Sequence, residues 1–188
     1  MIKLNKELGQ ASRLLLVLAI VVLVAVVIVY LVMKMADRAP DPKPPSDIKL
    51  PVYEQTLGNI RLVFQSAIDR GDILRATKTG QKDFVATAGG KFIQVTVAAQ
   101  NMGTENTDQN DWDINNIVDS EGRNFIPVEG GNIRTWLPEK NFCGVALKPA
   151  FDPIPCTKIY EVSKVAKELK IVVEAGKNRT STLDIIVK

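Results

Sequence analysis

From Leu14 to Met33 the chain reads LLLVLAIVVLVAVVIVYLVM, twenty positions without a charge, a glycine or a proline. At 1.5 Å per residue a helix of that length covers about 30 Å, the thickness of the hydrocarbon core of a bilayer. No polar face interrupts it, as one would in the buried helix of a soluble protein. A cleavable signal peptide carries a shorter apolar run, about 7 to 15 residues, followed by a small-x-small site. This run instead continues into KMADRAPDP. The pattern predicts a transmembrane signal anchor at 14–33 behind a short cytoplasmic tail at 1–13, with Tyr30 near the membrane interface.

The pattern then changes twice. Residues 34–58 read as a linker. Within it, Ala39 to Ser46 (APDPKPPS) holds four prolines in eight positions, which excludes helix interior and favours an extended, fairly stiff spacer. Beyond it the hydrophobic spacing shortens to the period of strands. Asn59 to Ile68 is rich in β-branched and aromatic residues, with Ile73 to Thr77 extending or pairing with it. Lys91 to Gln100 alternates cleanly, with Ile93, Val95, Val97 and Ala99 on one face and Gln94 and Thr96 on the other. Further short strands are predicted at 114–118, 124–128, 142–147, 159–162, 169–174 and 182–187, separated by turn-forming runs such as Ser120-Glu121-Gly122. Lys164 to Lys167 reads as one helical turn. This series predicts an all-β antiparallel sandwich over residues 59–188.

Composition narrows the chemistry. With no histidine, Ser-His-Asp and Cys-His catalysis are excluded, and the commonest metal ligand is missing. No nucleophile elbow, phosphate loop or zinc-ligand spacing is present. A net charge of +3, with Lys and Arg scattered, does not point to nucleic acid. The positive-inside count is close to a tie, Lys3, Lys6 and Arg13 before the apolar run against Lys34, Arg38, Lys43 and Lys49 after it. A short basic tail before a first hydrophobic segment favours an inside N-terminus. The two cysteines, Cys143 and Cys156, favour a disulfide in an exported domain over a reduced, buried pair. Closing a loop of about 14 residues would stabilise the fold by roughly 3 kcal/mol.

Three features invite sharper readings. Asp108, Asp111, Asp113 and Asp119, with Asn110 and Asn115, offer oxygen ligands for Ca²⁺. They lack the alternate ligand spacing, the glycine and the closing glutamate of an EF-hand loop, so a solvated acidic turn is the simpler reading. Trp112, between Asp111 and Asp113, is the candidate exposed contact for a partner, while Trp136, between Thr135 and Leu137, reads as core. Asn178-Arg179-Thr180 matches a glycosylation sequon but reads more simply as a polar hairpin turn.

The run KFIQVTVAAQNMGTENTD, the turn IVDSEGRNFIP, and LKPAFDPIPCTKIYEVSKVAKELKIVV together resemble a bacterial immunoglobulin-like family of unknown function. That family is found on lipoproteins and membrane-anchored proteins and is akin to the secreted mycobacterial immunoprotective antigens. The resemblance rests on the order of Asn101 and Gly103, Asp119 and Gly122, Pro149, and Tyr160-Glu161-Val162. It covers about residues 60 to 187, implies an Ig-like sandwich, and brings no catalytic residues. The chain departs from the family in lacking a lipid-anchoring N-terminal cysteine and in adding its cysteine pair.

The expectation is thus a single-pass membrane protein, held through Leu14 to Met33, whose extracytoplasmic domain binds a protein partner without catalysis or cofactor. The alternative is a structural subunit of an envelope or secretion complex assembled partly through its helix. Within the apolar run only Ala19 and Ala25 are small, which gives close helix packing little support.

Overall fold

A computed structural model describes residues 8–36, 50–130, 133–176 and 178–188. The expected tail before residue 8 and the proline-rich spacer lie outside these. The chain divides into two units, Met1–Lys49 and Leu50–Lys188.

In the first unit Leu8–Ala36 forms helix α1. The described side chains from Leu16 to Lys34 are all exposed within the molecule. By length and composition this helix can cross a membrane.

The second unit is an antiparallel β-sandwich. Among the described residues its strands are β1 (Glu54–Leu57), β2 (Ile60–Gly71), β3 (Ile73–Leu74), β4 (Phe84–Val85), β5 (Gly90–Asn101), β6 (Trp112–Val118), β7 (Asn124–Phe125), β8 (Ile154–Ser163), β9 (Lys170–Ala175) and β10 (Arg179–Asp184). One sheet has the order β1-β2-β5-β8 and the other β10-β9-β6-β7, with β3 and β4 forming a separate hairpin. If β2, β5 and β8 are taken as strands A, B and E, and β6, β7, β9 and β10 as C, C′, F and G, the order is A-B-E facing G-F-C-C′, a Greek-key arrangement of the immunoglobulin type.

Alternation builds the core. Ile93, Val95, Val97 and Ala99 of β5 face inward as expected, and they share the main core with Ile114 and Ile117 of β6 and Ile171 and Val173 of β9, all fully buried. Each such side chain contributes about 1.5–3 kcal/mol by leaving water. Tyr160 of β8 spans the layers, its hydroxyl donating to the Asn115 carbonyl at 2.7 Å. Burial, and then the charge of Asp113, push this phenol above its ordinary range, so it remains a neutral donor.

The outer face of β5 is also covered at one end. Phe92 packs there with Leu74, Ile133 and Ile159 in a second cluster, flanked by the half-buried Trp136 and Leu137. The β3–β4 excursion and a 3-10 turn at Ile133–Trp136 supply this cover.

The sequence reading departs from the structure in several places: β3 pairs with β4, β7 ends at Phe125 rather than at Val128, and β10 runs from Arg179 to Asp184 rather than from 182 to 187. The sandwich begins before Asn59: the Phe64 amide donates to the Tyr53 carbonyl at 2.8 Å, and Val52 and Asp184 exchange two hydrogen bonds at 2.6 and 2.7 Å. Residues 142–147 form no strand, because their backbone bonds to the 101–112 segment and Gly144 adopts a left-handed φ of 71°. Lys164 to Lys167 makes a turn closed by the Ala166 amide on the Ser163 carbonyl at 3.0 Å, not a helical turn.

Candidate binding surfaces

Sheet edges decide which surfaces remain open, since an unpaired edge is a template for another chain. Among the described residues, local pairings cover the outer sides of β2, β10 and β8. Along β2, strand β1 pairs with Ile60–Val63, and further on Val187 and Lys188 take over at Ala67 and Asp69. Along β10, Val52 pairs with Asp184. Along β8, the Asn141 side chain acts as a substitute strand residue, accepting from the Thr157 amide at 2.7 Å and donating to the Thr157 carbonyl at 2.8 Å. Two residues further on, the Val128 amide donates to the Ile159 carbonyl at 2.7 Å, and Pro127 bridges Tyr160.

The cover fails at the end of β8. Asn124 and Phe125 pair with β6 in one sheet, but Pro127 and Val128 pair with β8 in the other, so the chain changes sheets at Ile126. Beside this crossing lies a groove of about 610 Å³, lined by Gly89, Phe125, Ile126, Pro127, Glu129 and Val162 among others. Ile126 is 70% exposed. Gly90 forms part of the wall because a Cβ there would lie 2.8 Å from Glu161 Oε1. That oxygen accepts the Thr87 amide at 2.5 Å. Glu129 makes no ion pair among the described residues, so the groove is apolar with an acidic rim.

A second hollow, polar and about 520 Å³, lies between the β1–β2 turn, the 101–111 loop and the β9–β10 turn; Asn59, Glu105, Asp108, Asp111 and Arg179 reach it. Asn101 organises its loop. The buried amide accepts the Gly103 N–H at 2.8 Å and donates to the Glu105 and Leu147 carbonyls at 2.6 and 3.0 Å, which is the physical content of the Asn-x-Gly pattern.

Cys143 and Cys156 are joined in a disulfide with their Cα atoms 4.6 Å apart. Trp112, read from sequence as a partner contact, is fully buried and packs in the main core, with its Nε1 donating to the Val145 carbonyl at 2.8 Å. As the first residue of β6 it points inward, and its acidic neighbours point the other way. Trp136, read as core, is only half-buried and donates from Nε1 to the Arg75 carbonyl at 2.8 Å.

The four aspartates read as a calcium set do not converge. Asp108 and Asp111 line the polar hollow. Asp113 pairs with Lys158 at 2.7 Å. Asp119 lies beyond the other end of β6, about 20 Å along the strand from Asp113 at some 3.3 Å per residue. Its oxygens are already committed to the Glu121 and Arg123 amides at 3.0 and 2.9 Å and to Arg123 Nε at 2.6 Å. Burial alone would raise this carboxyl, but the Arg123 amide, its guanidinium and the Glu121 amide outweigh it and hold the group below the usual range. Among the described residues, the ligand-type side chains that do cluster are Asp113, Cys143 and Cys156, and both sulfurs are spent in the disulfide.

No protein-family model and no curated protein sequence matches the chain. Among solved structures it is similar to a conserved hypothetical protein from Bacillus anthracis, with 15% identity and a TM-score of 0.50 over 71% of this chain and 92% of that one. It is also similar to a candidate lipoprotein from Bacillus subtilis, at 10% identity and a TM-score of 0.46 over 72% of this chain and 39% of that one. An uncharacterised β-sandwich protein from Clostridium difficile follows at 10% identity and a TM-score of 0.40, over 73% and 92% of the two chains. At such identities the first likeness concerns the fold alone.

Proposed function

We propose that this is a membrane-tethered, extracytoplasmic, immunoglobulin-like module that binds a protein partner without catalysing a reaction. The observation that carries the reading is the groove beside Ile126. It is the place where the otherwise covered edge of β8 opens, and it presents an exposed apolar side chain inside an acidic rim. An apolar anchor with a charged surround is the usual anatomy of a binding hot spot. The partner that fits is an extended segment laying an apolar side chain on Ile126, with a basic residue facing Glu129. Tethering is supported by the apolar length of α1 and by Lys34, whose Nζ lies 5.9 Å from the centre of the Tyr30 ring, a pairing suited to a membrane interface. The disulfide suits an oxidising compartment outside the cytoplasm.

Two measurements test this. In intact cells a membrane-impermeant maleimide should label Cys143 and Cys156 only after reduction; free thiols reached only on lysis would place the domain inside and sink the tethering half. A photo-crosslinking residue at position 126 should give a discrete adduct that Glu129→Lys weakens. Adducts of equal yield from a control at the exposed Val165 would show that the groove has no special role.

A further inference from the structure

The geometry points to a redox latch: the Cys143–Cys156 bond holds the 143–150 segment as a strap on the 101–111 loop, and reducing it frees strap and loop together while both sheets stay folded. The strap is fixed to the loop by hydrogen bonds distributed along its length. The Asn110 amide donates to the Gly144 carbonyl at 2.6 Å, and Trp112 Nε1 to the Val145 carbonyl at 2.8 Å. Leu147 exchanges bonds with Thr107 at 3.0 and 2.8 Å and accepts from the Asn101 amide at 3.0 Å, after which Pro149 bridges Asn101.

Little else holds it. Leu147 is the strap's one fully buried apolar side chain, with Cys143 and Val145 half-buried against the core. Two non-glycine residues, Asn110 and Ala150, are held at φ of 61°, a left-handed conformation that disfavours the ordered form of both segments. Gly144 cannot take a side chain without meeting Asn110 Oδ1 at 2.8 Å, so strap and loop are fitted to each other. The Cys156 root is rigid without the bond: β8 pairs with β5 from Ile154 to Ser163. The Cys143 root is held by the Asn141 side-chain bonds to Thr157, a 3.3 Å bond from the Phe142 amide to the Pro155 carbonyl and a 3.4 Å bond from the Val145 amide to the Phe142 carbonyl.

Reduction requires an external dithiol. Its thiolate attacks Sγ of Cys143, a half-buried residue where Cys156 is fully buried, and expels Cys156 as thiolate. The dithiol's second sulfur then displaces Cys143, so two electrons and two protons pass to the cysteines and the dithiol becomes a cyclic disulfide. The loop so released is one wall of the polar hollow, which makes the shape of that end of the sandwich dependent on the redox state of its compartment. This inference does not depend on the partner groove, which lies elsewhere on β8.

The test is native-state hydrogen exchange on the full chain in detergent micelles, oxidised and after reduction. Loss of a crosslink closing a loop of this size lowers local protection by about a hundredfold. Protection should fall by at least that factor at the amides of Thr107, Asn110 and Leu147, leaving them far less protected than Val95, Val97, Ile171 and Val173, which exchange only through global unfolding. Oxidised Leu147→Ala should loosen the same three amides with the disulfide intact. Unchanged protection at the three amides on reduction, or residual protection in the reduced chain equal to that of the four core amides, overturns the latch.

Discussion

Trp112 and Asp119 show how a single position is decided by its neighbours in space. Trp112 fills the end of the core between the sheets and spends its one donor on Val145. Trp112→Ala should therefore cost about 3–5 kcal/mol and lower the melting temperature by roughly ten degrees or more, measured by thermal circular dichroism; a shift of a degree or two would return it to the surface. Asp119 predicts a pH dependence. Its folded carboxyl titrates below the unfolded value of about 3.9, so the unfolded chain takes up protons first as the solution is acidified. The stabilisation is complete above that value and is lost as pH falls through the folded value. Asp119→Asn should flatten the acid limb of a stability-against-pH curve and leave its neutral plateau lower than wild type. At this scale the sequence was legible where chemistry is local, as in the Asn101 and Asp119 turns. It misled where charged neighbours outweighed strand parity, as at Trp112.

The strands with strict alternation, above all β5, were legible because an inward face must be apolar in every second position. Short or switching elements were not: β1 has four residues, and the 124–128 segment serves two sheets in turn. The 142–147 run has the composition of a strand, but its hydrogen-bond partners lie in a distant loop, a tertiary fact that local pattern does not carry. The groove at Ile126 was illegible for the same reason, since it exists only where a crossing chain parts from β8. Asn141 gives a test at this scale. Asn141→Ala would leave the buried Thr157 backbone N–H and C=O without their partner, at a cost of about 1–3 kcal/mol. The same change lengthens the open edge of β8, so the variant should melt several degrees lower and show concentration-dependent light scattering. A variant that melts like wild type would mean that water replaces the amide without loss.

For the whole molecule, the division between an apolar helix and a separate sandwich was readable from the apolar run at 14–33 and the strand period that begins at Asn59, because an apolar helix and a sandwich with one solvated face demand different patterns. What the pattern missed was the start of the second unit, which includes the residues from Leu50 onward that seal β10 and β2. All residues of both apolar clusters, and all the partly buried ones packed on them, lie between Leu57 and Val187. The unit is thus expected to hold its full stability without the helix. The fragment 50–188 should be soluble and unfold in one cooperative transition at the melting temperature of the same domain in the full-length chain, read by near-ultraviolet circular dichroism. A fragment beginning at Asn59 should melt lower by several degrees, since it removes β1 and the exchange between Val52 and Asp184. If the longer fragment also melts lower than the parent, residues before Leu50 contribute to the stability of the sandwich; equality means that they contribute nothing to it.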